Sequence, residues 1–284
     1  MNSPTLPSIA QLIRSAQQAL ESISTSPRLD AELLLAHLLD CDRSYFYAHA
    51  DDQPEPRLQA HFQQLVSRRS QGVPMAYLLK TREFFGLNFE VSPAVLVPRP
   101  ETELLVETAL EQIPKEQKFQ VADLGTGSGA IALAIASQRP QCEVIATDRS
   151  QAALNVAQRN AQRLHINNVA FRCGSWLEPI SEQLPLIVSN PPYVAENDER
   201  LNSDSLRHEP LMALTPGSDG MSAIVSIISG ATKHLFNKGW LMLEHGYDQA
   251  AFVQQLLADH GYGAIASHRD LAGHERITVG QWSV

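Results

Sequence analysis

The chain has 284 residues, 44% of them hydrophobic, and carries a formal net charge of −9. This length suits one large domain or two. The acidic balance disfavours a protein that grips duplex nucleic acid unaided, because such proteins carry a basic surface. Cys41, Cys142 and Cys173 show neither metal-ligand spacing nor a disulfide framework. We therefore expect buried free thiols and no metal site.

The start of the chain has no basic segment followed by an apolar core, so we expect no signal peptide. No apolar run approaches the length of a membrane span. These features predict a cytoplasmic protein without a membrane partner.

The first part of the chain has the apolar spacing of helices. Ser8 and Ser26 are favoured N-cap residues, and Pro27 suits the first position of a helix. The predicted helices are SIAQLIRSAQQAL, SPRLDAELLLAHLL and PRLQAHFQQLVSRR. We expect a small helical bundle over residues 1–73, followed by a linker over 74–100. The linker holds a β-hairpin at Glu83 to Val91 that turns near 86–88.

In the remaining region, residues 101–284, strands and helices alternate from about residue 118. Strands are predicted at FQVADL, EVIATD, NVAFRC, LPLIVS, GWLMLEH, GAIASH and ERITVGQW. Helices are predicted at SGAIALAIASQ, SQAALNVAQRNAQRL, MSAIVSIISGATKHLF and DQAAFVQQLLADH. Such alternation is typical of an α/β fold with a parallel sheet covered on both faces. Only RDLAGH separates the last two strands, so we expect an antiparallel pair at the sheet edge.

The segment VADLGTGSGA places three glycines, Gly125, Gly127 and Gly129, between the first strand of this region and its helix. Glycines allow a tight turn and let a ligand approach the backbone, and a helix N-terminus offers N–H groups to an anion. The spacing is G-x-G-x-G, whereas dinucleotide folds use G-x-G-x-x-G. A plain tight turn is the alternative interpretation.

Asp148 ends the second strand, EVIATD. From this position a carboxylate reaches the ribose hydroxyls of an adenosine-containing ligand. The ligand needs a ribose but no pyrophosphate, and S-adenosylmethionine meets this description. Alternatively, Asp148 caps the helix that begins near Ser150.

The tetrapeptide Asn190-Pro191-Pro192-Tyr193 ends the strand LPLIVS, at the edge where open α/β sheets bind ligands. The Asn190 side-chain oxygen and the Pro191 carbonyl offer two acceptors to a planar –NH2 group, which they would orient for methylation. The prolines keep the loop rigid, and Tyr193 offers a flat face to a planar amide or base. The alternative is a proline-rich loop that leaves a sheet.

Together, DLGTGSG and NPPY resemble S-adenosylmethionine-dependent amino methyltransferases that act on planar nitrogen, including adenine N6 and glutamine N5 enzymes. Further segments resemble the protein-(glutamine-N5) methyltransferases, above all the HemK/PrmC type that modifies peptide chain release factors. These segments are SPRLDAELLLAHLL, GVPMAYLLKTREFFGLNFEVSPAVLVPRPETELLV, HEPLMAL, GSDGM and RDLAGHER. The resemblance implies a Rossmann-like methyltransferase domain, S-adenosylmethionine as cofactor, and a target glutamine in the Gly-Gly-Gln motif of a release factor.

The same resemblance implies roles for particular residues. Gly125, Thr126, Gly127, Ser128 and Gly129 would line the amino-acid end of the cofactor. Asp148 would bind the ribose and Trp176 would lie near the adenine. The residues implied for catalysis are Asn190, Pro191 and Tyr193. These three and Pro192 would form the substrate pocket, and Asn190 would also touch the cofactor. We expect the N-terminal domain to recognise the protein substrate.

Three alternatives remain. An adenine N6 methyltransferase on DNA or RNA needs base flipping and a basic recognition surface, which the acidic balance argues against. A glutamine methyltransferase of a ribosomal protein would share the motif, but the start SPRLDAE favours release factors as the substrate. We expect no direct contact of the enzyme with nucleic acid. An adenosine-binding scaffold without activity is disfavoured by the intact NPPY.

Several polar residues have weaker predictions. Residues of PRPETE either form a lip of the site or simply begin a helix; they are Arg99, Glu101 and Glu103. His208 and Glu209 either border the substrate entrance or lie in a surface loop. We expect His245 and His274 to be ordinary loop residues.

Overall fold

The computed structural model describes residues 6–203 and 206–283. These residues form two compact units. The first consists of the described residues within Met1–Lys80 and Asn202–His208, and the second of those within Thr81–Leu201 and Glu209–Val284. None of the helices in this described part of the chain is long and apolar enough to cross a membrane.

The first unit is helical, as predicted. Its helices are α1 (Ile9–Leu20), α2 (Pro27–Leu39), α3 (Tyr45–Ala48), α4 (Pro56–Ser70) and α5 (Met75–Leu79). Ser8 and Gln11 form a reciprocal capping box at the start of α1, which satisfies two backbone donors. The helices bury a common apolar core that includes Leu20, Leu34 and Phe62. The short helices α3 and α5 were not predicted, because four or five residues are too few to show a period.

The second unit begins with the hairpin of β1 (Thr81–Phe84) and β2 (Leu87–Glu90). A 3₁₀ helix (Pro100–Thr102) then leads into α6 (Glu103–Gln112). The elements that follow are β3 (Phe119–Leu124), α7 (Ala130–Gln138), β4 (Cys142–Asp148), α8 (Gln151–Arg163), β5 (Val169–Cys173), β6 (Leu184–Ser189), α9 (Ser222–Ala231), β7 (Leu235–Glu244), α10 (Ala250–Asp259), β8 (Tyr262–Arg269) and β9 (Glu275–Trp282).

Seven strands form one sheet in the order β5-β4-β3-β6-β7-β9-β8. The strands from β5 to β7 pair in parallel, whereas β9 runs antiparallel to both β7 and β8. This confirms the predicted mostly parallel sheet with an antiparallel edge pair. The chain moves outward from β3 to β5 and then returns to place β6 on the other side of β3. The carboxyl ends of β3 and β6 therefore flank the topological switch point, where such sheets bind ligands.

The register of β3 and β6 brings two predicted motifs side by side. Leu124 pairs with Ser189, the last residues of the two strands. The Ser189 hydroxyl donates to the Leu124 carbonyl at 2.7 Å. Since the glycine turn follows Leu124 and Asn190 follows Ser189, both leave the sheet at the same level.

Some predicted boundaries were wrong. The helix predicted through Phe236 ends at Ala231, and β7 begins at Leu235. Leu235 pairs with Leu184 of β6 and is buried, so sheet pairing overrides the helical pattern of the sequence here. Of the three free thiols, Cys142 is buried but Cys173 is exposed.

The hairpin predicted as a linker is part of the second unit. Phe84 and Phe89 lie in the core formed with α6 and α7. Glu103 accepts a hydrogen bond from the Phe85 backbone N–H at 2.8 Å, which holds the turn of the hairpin. The preceding helix α5 belongs instead to the first unit.

Asn160 on α8 joins the hairpin to the glycine turn. Its Oδ1 accepts from the Glu90 N–H at 2.6 Å. Its Nδ2 donates to the carbonyls of Glu90 at 3.0 Å and Ser128 at 2.9 Å. The side chain is fully buried, so water cannot replace these bonds if it is lost.

We expect Asn160→Ala to lower the free energy of unfolding by about 3 kcal/mol, because it removes hydrogen bonds to one buried and two partly buried backbone groups. Urea unfolding measures this loss. Asn155→Ala is the matched control, since Asn155 is exposed on the same helix and bonds only Gln151 among the described residues. Equal stability of the two variants would contradict this role for Asn160.

Candidate active site

A cavity of about 290 Å³ lies in the second unit at the carboxyl edge of the sheet. It brings together six of the residues predicted from the sequence: Gly125, Gly127, Asp148, Trp176, Asn190 and Pro192. Four segments that are separated in sequence thus meet at this cavity. The structure places the remaining predicted residues behind the cavity wall, as described below.

The glycine turn exposes its backbone to the cavity. Gly125, Gly127 and Gly129 all have positive φ angles, of 74°, 57° and 83°, which other residues adopt only with strain. The N–H groups of Gly125 and Thr126 donate to the Thr147 carbonyl of β4 at 2.8 and 2.9 Å. A Cβ atom on Gly125 would lie 3.1 Å from the ring of Trp176. A side chain at Gly125 would therefore clash with this ring.

Asp123 holds this turn from behind. Its carboxylate accepts from the Thr126 hydroxyl at 2.6 Å and from the Ala132 N–H at 3.2 Å. Burial raises the pKa of Asp123 to about 7. Thr126 and Ser128 are buried, and Gly129 caps α7 against Ala157. These three residues shape the turn but do not line the cavity.

Asp148 caps helix α8, which was the alternative prediction, and it also lines the cavity. One carboxylate oxygen accepts from the Ser150 N–H at 2.8 Å, at the start of α8. The other accepts from the Gly127 N–H at 2.9 Å and so tightens the glycine turn. Burial is the main cause that raises the pKa of Asp148. The carboxylate also faces the cavity, and each oxygen retains lone pairs for a further donor.

Asn190 is held by a residue that the sequence did not single out. Its Nδ2 donates to the Thr102 hydroxyl oxygen at 3.0 Å. Thr102 lies in the 3₁₀ helix before α6 and is buried. Since the amide nitrogen is engaged there, Oδ1 is left as the available acceptor of Asn190 at the cavity wall.

The rest of the tetrapeptide divides between wall and interior. Pro192 lines the cavity, whereas Pro191 is buried. The Tyr193 hydroxyl donates to Glu244 Oε1 at 3.4 Å, and its ring packs against an apolar cluster beside β6 and β7. Burial raises the pKa of Tyr193, so the phenol stays protonated. The structure therefore does not place the predicted flat face of Tyr193 at the cavity.

The opposite wall comes from segments whose roles the sequence did not predict. Two loops supply its residues: Ala94, Val95 and Leu96 before the 3₁₀ helix, and Pro210, Met212, Ala213, Thr215 and Pro216 before α9. Glu209 ties these loops together because it accepts from the Val97 N–H at 3.0 Å and pairs with Arg99. Its side chain is completely buried, which excludes a simple surface loop at this residue.

His208 and His245 are not among the residues that line the cavity. His208 belongs to the first unit, where its Nε2 lies 2.9 Å from the Gln71 carbonyl. His245 follows β7 and is completely buried, with Nε2 2.7 Å from the Thr278 hydroxyl. Burial lowers its pKa. Within residues 6–203 and 206–283, no cluster of three or more His, Cys, Asp or Glu residues is placed to hold a metal ion.

The sheet order, the switch-point cavity and the glycine turn define the second unit as a Rossmann-like methyltransferase domain. Residues 100–225 match the methyltransferase small domain family, and residues 11–79 match the PrmC N-terminal domain. The catalytic domain of hMettl16, solved with the MAT2A 3′UTR hairpin 6, shares this fold. Its TM-score is 0.58 at 18% identity, over 77% of this chain and 81% of that one. The 16S rRNA N2 G1207 methyltransferase of T. thermophilus, solved with AdoMet and guanosine, has a TM-score of 0.53 at 18% identity, over 71% and 49% of the two chains.

Sequence relatives define the family more narrowly. The release factor glutamine methyltransferase of Xylella fastidiosa strain Temecula1 is 48% identical, over 97% of this chain and 98% of the relative. That of Coxiella burnetii is 47% identical over 96% and 98%, and that of Escherichia coli K12 is 44% identical over 95% and 97%. The chain belongs to the release factor glutamine methyltransferases. This confirms the family resemblance and does not favour the adenine-directed alternative.

We expect Asp148→Ala to weaken binding of S-adenosylmethionine by about ten- to a hundredfold, because a hydrogen bond to a charged group contributes about 1.5–3 kcal/mol. Calorimetry measures the dissociation constant, and NAD should not bind either protein. Asp259→Ala, at the exposed end of α10, is the control. An unchanged affinity would contradict the predicted role of Asp148 in ribose binding.

Proposed function

We propose that this enzyme transfers a methyl group from S-adenosylmethionine to the side-chain amide nitrogen, N5, of the glutamine in the Gly-Gly-Gln motif of a peptide chain release factor. One observation carries the site assignment. The Asn190 amide is fixed by Thr102 with Oδ1 left as an acceptor, beside the glycine turn. Because release factors act on ribosomes in the cytoplasm, we expect the enzyme to work there.

The residues at the cavity fit S-adenosylmethionine. The backbone is uncovered at Gly127, Gly125 also lines the cavity beside Trp176, and the Asp148 carboxylate offers acceptors to ribose hydroxyls. Trp176 supplies an aromatic wall. When bound, the cofactor supplies an electrophilic methyl group on a sulfonium centre. These residues bind and orient it, and Asn190 lies at the same wall.

A glutamine amide is a poor nucleophile because its nitrogen lone pair is delocalised into the carbonyl. We propose that Asn190 Oδ1 and the Pro191 carbonyl accept hydrogen bonds from its two N–H groups. This arrangement directs the nitrogen toward the methyl group and stabilises the positive charge that develops on it. The buried Pro191 and the adjacent Pro192 keep the acceptors rigid. No strong base is needed, since a methylated amide nitrogen that carries positive charge readily loses a proton.

The first unit is our candidate for recognition of the protein substrate. The Tyr47 side chain is 85% exposed, which is unusual for a large aromatic residue. It borders two adjoining cavities that Arg28 and Arg43 also line. Exposed tyrosine and arginine residues are enriched at protein interfaces, where they contribute much of the binding energy. These residues lie within the segment 11–79, which matches the PrmC N-terminal domain.

Asn190→Ala tests the proposed activity. We expect the methylation rate to fall on the order of 100- to 1000-fold, while cofactor affinity changes much less, because one preorganised acceptor is lost. Mass spectrometry of the tryptic Gly-Gly-Gln peptide measures the rate. Asn190→Asp retains an acceptor oxygen but loses the donor to Thr102, so we expect partial activity. Transfer of the methyl group to an oligonucleotide, and none to the glutamine, would contradict the proposal.

Tyr47→Ala tests substrate recognition. We expect KM for full-length release factor to rise about tenfold, because truncation of an interface anchor costs more than 1 kcal/mol. KM for a short Gly-Gly-Gln peptide and the cofactor affinity should not change. Leu271→Ala, at a fully exposed residue of the second unit, is the control. An equal rise in KM for the short peptide would place the effect at the catalytic centre instead.

A further inference from the structure

A buried carboxyl group, Glu244, stands behind Asn190 and Tyr193. Glu244 ends β7, next to β6, and is only 1% exposed. Its Oε1 accepts the Tyr193 hydroxyl at 3.4 Å, and the Thr102 hydroxyl lies near enough to the carboxyl group to lower its pKa. Among the described residues, Oε2 has no hydrogen-bond partner. A buried carboxyl with an unsatisfied oxygen is costly, so its retention calls for a physical reason.

Thr102 links the surroundings of Glu244 to the Asn190 amide. Thr102 has one hydroxyl proton, which it can donate to the nearby Glu244 carboxyl group. Its oxygen is then oriented to accept from Asn190 Nδ2, at 3.0 Å. With Nδ2 held in this way, Asn190 presents Oδ1 to the cavity. Without the carboxyl, the Thr102 hydroxyl could rotate, and the orientation of the Asn190 amide would no longer be unique.

We propose that Glu244 is a positioning residue for methyl transfer, which acts through Thr102 on Asn190 and through the Tyr193 hydroxyl on the NPPY loop. This proposal rests on the proposed function of Asn190. Glu244 does not line the cavity, so its carboxyl group would touch neither cofactor nor substrate. Its ionised form strengthens both hydrogen bonds and also favours positive charge on the substrate nitrogen.

The charges around Glu244 set the pH at which it ionises. Burial raises its pKa to about 7, the Thr102 hydroxyl and Arg276 of β9 oppose this rise, and Glu101 of the 3₁₀ helix adds to it. Tyr193 faces the same carboxyl group but remains protonated, because burial raises its own pKa. His245, the next residue, is kept from ionising near neutral pH because burial lowers its pKa. Glu244 is therefore the group in this cluster that changes charge near neutrality.

The rate and the stability of the enzyme should depend on pH in opposite directions. Below the pKa of Glu244 the carboxyl is neutral and its hydrogen bonds are weaker, and above that pKa it is ionised. We expect kcat to rise as the pH increases through about 7. Folding responds in the opposite direction, because the folded state holds a proton that the unfolded chain has released. The contribution of Glu244 to stability is therefore favourable at low pH and declines as the pH rises toward its raised pKa.

The experiment compares Glu244→Gln, Thr102→Val and the double variant in the full-length enzyme with purified release factor. Both substitutions nearly preserve shape, since glutamine keeps an acceptor oxygen and valine only removes the hydroxyl. Glu143→Gln, at an exposed carboxyl on β4, is the matched control for loss of charge. The measurements are kcat and KM between pH 5.5 and 9, the dissociation constant of S-adenosylmethionine, and thermal unfolding.

We expect each single variant to lower kcat about tenfold, as the loss of one hydrogen bond to a charged group predicts. Cofactor affinity should change less than twofold. The double variant should lose less activity than the product of the two single losses, because both changes break the same link to Asn190. The rise of kcat near neutral pH should be present in the wild type and the Glu143→Gln control and be lost in Glu244→Gln.

A wild-type kcat and pH profile in folded Glu244→Gln would overturn the proposal, as would fully additive losses in the double variant. A variant with lowered thermal stability but unchanged kcat would show a purely structural role and would likewise overturn it. If instead the wild-type enzyme leaves the glutamine unmethylated, the proposed function fails, and this outcome is distinct from failure of the positioning role.

Discussion

The pairing of β3 with β6 is the constraint on which the site depends. Because Leu124 lies opposite Ser189, the glycine turn and Asn190 emerge together from the centre of the sheet. The Ser189 hydroxyl reinforces this register with a bond to the Leu124 carbonyl. A slip of one residue would move every side chain of one strand to the opposite face of the sheet, and because both faces are tightly packed here, the hydrophobic core disfavours any other alignment. The position of the two motifs is thus set by core packing.

Two buried carboxyl groups support the two motifs from behind. Asp123 accepts a hydrogen bond from Thr126 in the glycine turn, and Glu244 accepts one from Tyr193 of the NPPY segment. In both cases burial raises the pKa to about 7. Such groups are costly to bury, but in a low-dielectric interior their hydrogen bonds are stronger than in water. The two motifs that line the cavity are thus held by hydrogen bonds to buried carboxyl groups, and the burial of these groups costs some stability.

Local sequence patterns predicted many of the helices and strands, because these elements depend mainly on residues that are close together in the sequence. The bounds of LPLIVS as β6 and the glycine turn before α7 agree with the sequence prediction. The prediction failed where distant pairing decided the outcome, as at Leu235, which joins β7 instead of continuing α9. It also assigned Thr126 and Ser128 to the cavity side, although their side chains are buried behind the turn. A motif shows which residues belong together but not the direction in which each side chain points.

The sequence alone predicted the fold class from the alternation of strands and helices. It also located the glycine turn, Asp148 and the NPPY segment at strand ends, because each of these is encoded within a few consecutive residues. The parts played by Thr102 and Glu244 could not be found in that way. Thr102 lies far before Asn190 in the chain and Glu244 far after it, and although Thr102 falls within PRPETE, that segment did not indicate a contact with Asn190. They meet Asn190 and Tyr193 only because α6 packs on the sheet and β7 pairs with β6. Hydrogen bonds between distant segments depend on this packing, so only the tertiary structure shows which residues hold the Asn190 amide.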